Sequence, residues 1–146
     1  MEISFKGKKV LVGGASRGIG RSIALAFAAS GAGVAICARG LDGLKAAEAE
    51  LRQHGAKIFS IACDLGDEGQ VTRFVNEAAN ALGGIDVLIN NASGVGMMDD
   101  EKGWEASVSI DLLAAVRATR QRVAFGPPRI SSVTSDGGSA VRSTPR

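Results

Sequence analysis

The sequence predicts an α/β fold: a doubly wound parallel sheet with helices on both faces, in three layers (α/β/α). Three observations predict it. Short, continuously apolar runs alternate with stretches whose apolar residues recur at helical spacing. Strand and helix signals follow one another four times, with no two strand signals in succession. The strand runs lack polar alternation, as expected where both faces of a sheet are covered. The chain has 146 residues, 45% hydrophobic and 22% charged, which suits one compact domain with a real core.

Each element can be justified in order. KVLVG, Lys9 to Gly13, reads as a buried strand ending in glycine. From Gly18, Ile19, Ile23 and Phe27 recur at helical spacing until Ser30-Gly31 stops the pattern. Val34 to Cys37 is a second strand. Leu41, Leu44, Ala47 and Leu51 mark a second helix that stops before Gly55. Ile58 to Cys63 is a third strand. Val71, Phe74, Val75, Ala78 and Leu82 form a third helix closed by Gly83-Gly84. Ile85 to Ile89 is a fourth strand, and Trp104, Val108, Leu112 and Ala115 open a fourth helix. Such sheets bind ligands beyond the carboxyl ends of their strands.

The first strand-to-helix turn reads VGGASRGIG. A glycine cluster there, between a strand and a helix, fits a dinucleotide pyrophosphate. Gly14 lets the chain turn sharply, Gly18 lets backbone come close to the pyrophosphate, and Gly20 lets helix and strand pack closely. The helix N-terminus adds free N–H groups and the positive end of its dipole. Ser16, Arg17 and Ile19 belong to the same loop and complete this part of the candidate cofactor site.

The spacing Gly-x-x-x-Gly-x-Gly resembles the short-chain dehydrogenase/reductase family, whose loop is Thr-Gly-x-x-x-Gly-x-Gly and whose fold is Rossmann-like. Gly13 stands where that family has Thr. Asp64 in CDL matches the family's adenine-contacting Asp, with Leu65 beside it. Asn90-Asn91-Ala92-Ser93 matches its Asn-Asn-Ala-Gly, with Ser93 replacing Gly. Asn91 and Ala92 join the cofactor candidates on that match. The resemblance runs from residue 5 to about residue 120. Each match also has a plainer reading: Asp64 as a helix cap, though Asp67 is better placed, and the asparagines as turn residues.

The region after the second strand reads ICARG, with Arg39 and no acid. An acid would hold the ribose 2′-OH of NAD and repel a 2′-phosphate. Arg39 favours NADP over NAD, because it offers charge-assisted hydrogen bonds to that phosphate. Arg17 can reach the same group, and the resemblance implies the same role for it.

The resemblance implies hydride transfer between the nicotinamide and a small carbonyl or alcohol, by a tetrad of Asn, Ser, Tyr and Lys. Tyr is the general acid/base, Lys lowers its pKa, and Ser orients the carbonyl oxygen. Asp111 stands where the Asn is expected, either near the nicotinamide or on the polar side of the helix. Ser132 in ISSV is the better match for the Ser, with Ser131 the alternative; Pro127-Pro128 just before them argue instead for a loop. The chain has no Tyr and its last Lys is Lys102, so the Tyr-x-x-x-Lys dyad is absent. Inactive or weakly active oxidoreductase-family domain is therefore the expected function. The alternative is a non-catalytic dinucleotide-binding or interaction module.

The organisation expected is a dinucleotide-binding domain over residues 1 to 120 and an irregular tail over 121 to 146. Of those last 26 residues, 15 are Ser, Gly, Pro or Arg, and all three prolines lie there. The sheet is expected to be incomplete on its C-terminal side, through a shortened in-frame copy or a tail read from another frame. An uncovered sheet edge would invite pairing with another chain, so a homo-oligomer is among the expected partners. Residues 117 to 146 hold six arginines against Asp136 alone. With no Lys, no RNA-binding motif and one aromatic, Phe125, nucleic-acid binding is a minor reading. Cys37 and Cys63 show no metal or redox spacing and read as small core residues of a cytoplasmic protein. No metal site is expected. MEISFKGKK is no signal peptide, and no run is long and apolar enough for a membrane span.

Overall fold

The computed structural model describes residues 3–94, 99–124 and 129–132, the last segment by its backbone alone. The elements are β1 (Lys9–Gly13), α1 (Gly18–Ala29), β2 (Gly33–Ala38), α2 (Leu41–Arg52), β3 (Ile58–Ala62), α3 (Glu68–Leu82), β4 (Val87–Asn90), α4 (Glu101–Ala106), a π-helical segment (Ser107–Leu113), α5 (Ala114–Val123) and β5 (Arg129–Ser132). The five strands form one parallel sheet in the order β3-β2-β1-β4-β5. The order reverses between β1 and β4, and the crevice that ligands use in such sheets opens at that point.

Period-2 alternation divides the core between the two faces. Val10 and Val12 of β1, with Val34 and Ile36 of β2, meet α1 and α2 through Ala24, Ala28, Leu44, Ala47 and Leu51. Leu11, Ala35, Cys37 and Leu88 meet α3 and α5 on the other face, through Val71, Phe74, Val75, Ala78 and Ala118. On α1 the buried line is Gly20, Ala24 and Ala28, so this helix lies close to the sheet on small residues. Ile23 and Phe27 pack half-buried beside it. The N–H of Lys9 donates to the Asp86 carboxylate at 2.9 Å and the N–H of Asp86 to the Lys9 carbonyl at 2.8 Å. That reciprocal pair sets the register where β1 and β4 begin.

Three expectations differ from the structure. The fourth strand starts at Val87, because Ile85 and Asp86 belong to the turn that leads into it. The expected tail is not wholly irregular: α5 runs on to Val123, and Arg129–Ser132 pairs with β4 as β5. Pro127 and Pro128, which argued for a loop there, lie outside the described residues. The segment after Ser132 lies outside the described residues. The third difference is in the fourth helix, where Trp104, Val108 and Leu112 do not face the core. They are 64%, 44% and 58% exposed. The inward face is Ala114 and Ala118, set by the π-helical segment that shifts the helical phase between α4 and α5.

Candidate functional site

The carboxyl ends of β1, β2 and β3 turn into loops around a groove of about 450 Å³. Gly14, Ser16, Arg17, Gly18, Ile19, Arg39, Asp64, Leu65, Asn91 and Ala92 all line it, so ten of the eleven cofactor candidates meet there. The eleventh, Gly20, lies behind the loop. A Cβ on it would stand 2.3 Å from the Gly14 carbonyl oxygen and 2.4 Å from Asn91 Nδ2. No side chain fits at this position unless the loop or Asn91 moves.

The loop is held from two sides. The N–H groups of Gly14 and Ala15 both donate to the Cys37 carbonyl at 3.1 Å. Asn91, 8% exposed, donates from Nδ2 to the Gly14 carbonyl at 3.1 Å. Asn91 therefore ties the end of β4 to the glycine loop. Gly14 has φ +72° and Gly18 φ +58°, conformations that side-chain-bearing residues rarely adopt. A Cβ at Gly18 would meet nothing within 4 Å. The space in front of it is open, and Ile19 is 57% exposed on the same edge. Arg17 precedes α1 without a side-chain cap, and the first turn holds no acid. The residues thus fit a dinucleotide: a glycine cradle with free space, uncapped helix N–H groups and a positive dipole end for phosphate.

Arg17 and Arg39 line the groove on its outer side, and both are exposed. Among the described residues neither is in a salt bridge. Asp64 does not cap α3. Its Oδ1 accepts from Gly66 N–H at 2.9 Å in a local turn, while Asp67 caps the helix by accepting from Gln70 N–H at 2.8 Å. Asp64 is left half-buried in the groove wall.

A second cavity of about 250 Å³ adjoins the groove, lined by Gly13, Asn90, Asn91, Ile110, Asp111 and apolar residues of α3, β4 and α5. Asp111 belongs to the π-helical segment and is not an exposed helix residue. Its Oδ1 accepts from Gly94 N–H at 2.8 Å, which ties the loop after β4 to this segment. Ser132 is in register with Asn90 and Ser131 with Ile89, so Ser132 ends β5 at the same end of the sheet. Residues the sequence reading did not single out for the groove are Ala38, Cys63, Ser93 and Ile110. All four directly precede or follow a candidate, and for the first three, position near a strand's carboxyl end was the signal available. Among the described residues no cluster of metal-ligating side chains occurs, and no helix is long and apolar enough to cross a membrane.

The short chain dehydrogenase family model matches residues 8–138, beyond the limit near residue 120 read from motifs alone. The 7alpha-hydroxysteroid dehydrogenase of Escherichia coli K12 is 33% identical over 109 residues, covering 70% of this chain and 43% of that protein. The glucose 1-dehydrogenase of Gluconobacter oxydans is 47% identical over 89 residues, covering 60% of this chain and 34% of the relative. A short chain dehydrogenase from Burkholderia cenocepacia, solved in complex with NADP, superposes with a TM-score of 0.82 at 30% identity. That superposition covers 89% of this chain and 56% of the other. The chain thus spans roughly half the length, or less, of the relatives it matches.

Proposed function

This chain belongs to the short chain dehydrogenase family, and on that premise we propose that its groove binds a nicotinamide dinucleotide and prefers NADP to NAD. The observation that carries this is the glycine cradle with open space at Gly18, flanked by Arg17 and Arg39, with an arginine rather than an acid directly after β2. Arg39 and Arg17 would hold the 2′-phosphate by charge-assisted hydrogen bonds. Asp64 would contact the adenine, and the N–H groups that open α1 would take the pyrophosphate. When bound, the dinucleotide supplies or accepts a hydride at a carbonyl or alcohol carbon.

In this reading Ser132 orients the substrate oxygen. Asp111, where the family has an amide, anchors the loop after β4 through Gly94 and places a carboxyl group instead of an amide beside the reaction site. The 146 residues contain no tyrosine to act as general acid/base. Turnover by this chain is therefore expected to be weak or nil, which makes a binding module without turnover the second reading. Two free, buried cysteines fit a reducing cytoplasm. Self-association is favoured by the exposed stripe of Trp104, Val108 and Leu112.

Titration of NADPH into the chain tests the binding site. Saturable binding is expected, and Gly18→Asn is expected to weaken it by about tenfold or more. Asparagine tolerates the left-handed backbone, so this change fills the cradle while keeping the loop. Binding that never saturates, or that ignores the substitution, contradicts the assignment.

A further inference from the structure

Two free thiols stand side by side beneath the groove. Cys37 on β2 lies opposite Ile61 of β3, and Cys63 follows Ile61 by two residues on the same side of the sheet. The N–H of Cys63 donates to the Ala38 carbonyl at 3.0 Å, and the two thiols are near enough to perturb one another. Cys37 is fully buried. Cys63 is 2% exposed, yet it lines the groove beside Arg39 and Asp64. The Cys37 carbonyl also receives the N–H groups that start the glycine loop. The neighbouring Cys37 draws the Cys63 thiol below its usual pKa, and Cys63 together with burial pushes Cys37 up. The thiol nearer the groove is thus the one that ionises first.

We propose that Cys63 is an oxidant-accessible thiol in the groove wall, that Cys37 resolves its oxidised form into a Cys37–Cys63 disulfide, and that a dinucleotide in the groove shields it. The shielding rests on the function proposed above; the disulfide does not. With hydrogen peroxide as oxidant, the Cys63 thiolate attacks one oxygen and the O–O bond breaks. Hydroxide leaves and takes a proton to become water, and Cys63 is left as a sulfenic acid. The Cys37 sulfur then attacks the Cys63 sulfur, the S–O bond breaks, and a second water leaves with the Cys37 proton. Two thiols are oxidised to one disulfide, and one peroxide is reduced to two waters.

The test is peroxide treatment of the folded chain, with and without saturating NADP⁺, followed by intact-mass analysis and peptide mapping. Loss of two hydrogen atoms, mapped to a Cys37–Cys63 link, is expected, with the rate about tenfold or more lower under NADP⁺. Cys37→Ala or Cys37→Ser is expected to stop at a sulfenic acid on Cys63 that dimedone traps. Cys63→Ala is expected to leave Cys37 unreacted. A folded chain that keeps both thiols, or a Cys63→Ala variant oxidised at Cys37 as fast as the parent, overturns the proposal. A chain that binds NADP⁺ by separate titration yet gains no protection overturns the shielding. A chain that binds no NADP⁺ but still forms the disulfide supports the thiol pair and contradicts the cofactor assignment instead.

Discussion

A Cβ at Gly20 would collide with the Gly14 carbonyl and the Asn91 amide at once, and both belong to backbone or a buried side chain with little room to move. Gly20→Ala is expected to lower stability by about 1–3 kcal/mol, read from the midpoint of urea unfolding, and to disturb the glycine loop. An unchanged midpoint would mean that the loop yields freely. At Arg39 the consequence is chemical. Arg39→Asp replaces the proposed phosphate donor by a repelling charge and should cost NADPH about tenfold or more in affinity while sparing NADH. Equal losses for both dinucleotides would place Arg39 away from the 2′-phosphate. These residues were legible because glycine spacing and a missing acid are local signals. Asn91's bond to Gly14 was not, since it joins residues 77 positions apart. The groove-facing edge of Cys63 was hidden for a related reason: a strand-end residue looks apolar whether it faces core or ligand.

At the scale of elements, helix caps and strand-helix ties carry testable weight. Asp67 is the side-chain cap of α3, and Asp67→Ala is expected to cost about 1 kcal/mol in thermal or urea unfolding. Glu48 on α2 accepts from the Ser60 hydroxyl of β3 and from Arg52, and these bonds hold its carboxyl below the usual range. A lowered folded pKa gives stability that is present above the ordinary value of 4.5 and lost as pH falls through the folded value. Ser60→Ala should therefore flatten the acid limb of the stability curve and leave its shape near neutrality unchanged. The second and third helices were readable because Leu44, Ala47 and Leu51, and Val71, Phe74 and Val75, face the core, whereas on α1 Ile19, Ile23 and Phe27 flank a buried line of small residues. The fourth misled because its clearest stripe, Trp104, Val108 and Leu112, points outward, and periodicity reports that a face is apolar without saying what covers it. The π-helical segment that shifts the phase has no signal of its own in the periodicity.

For the whole molecule, alternation in the sequence implied a parallel sheet, but not its order. Strand order depends on which strands meet across the crossovers, and no local pattern records that. Two expectations belong to this scale. NADPH-dependent turnover on a panel of small ketones and 3-oxoacyl thioesters should be weak or absent for this chain, and robust turnover by the pure chain would show that another residue replaces the tyrosine. If the exposed stripe is a self-association face, Trp104→Glu with Leu112→Glu should shift sedimentation toward the monomer, while a distribution that does not respond assigns the stripe no such role.

Paired titrations of NADPH and NADH into the same preparation probe the groove itself. Both are expected to saturate at one site per chain, with NADPH tighter by about tenfold or more because only it carries the group that Arg17 and Arg39 can hold. Equal affinities, a preference for NADH, or no saturation by either dinucleotide would contradict the assignment of this groove.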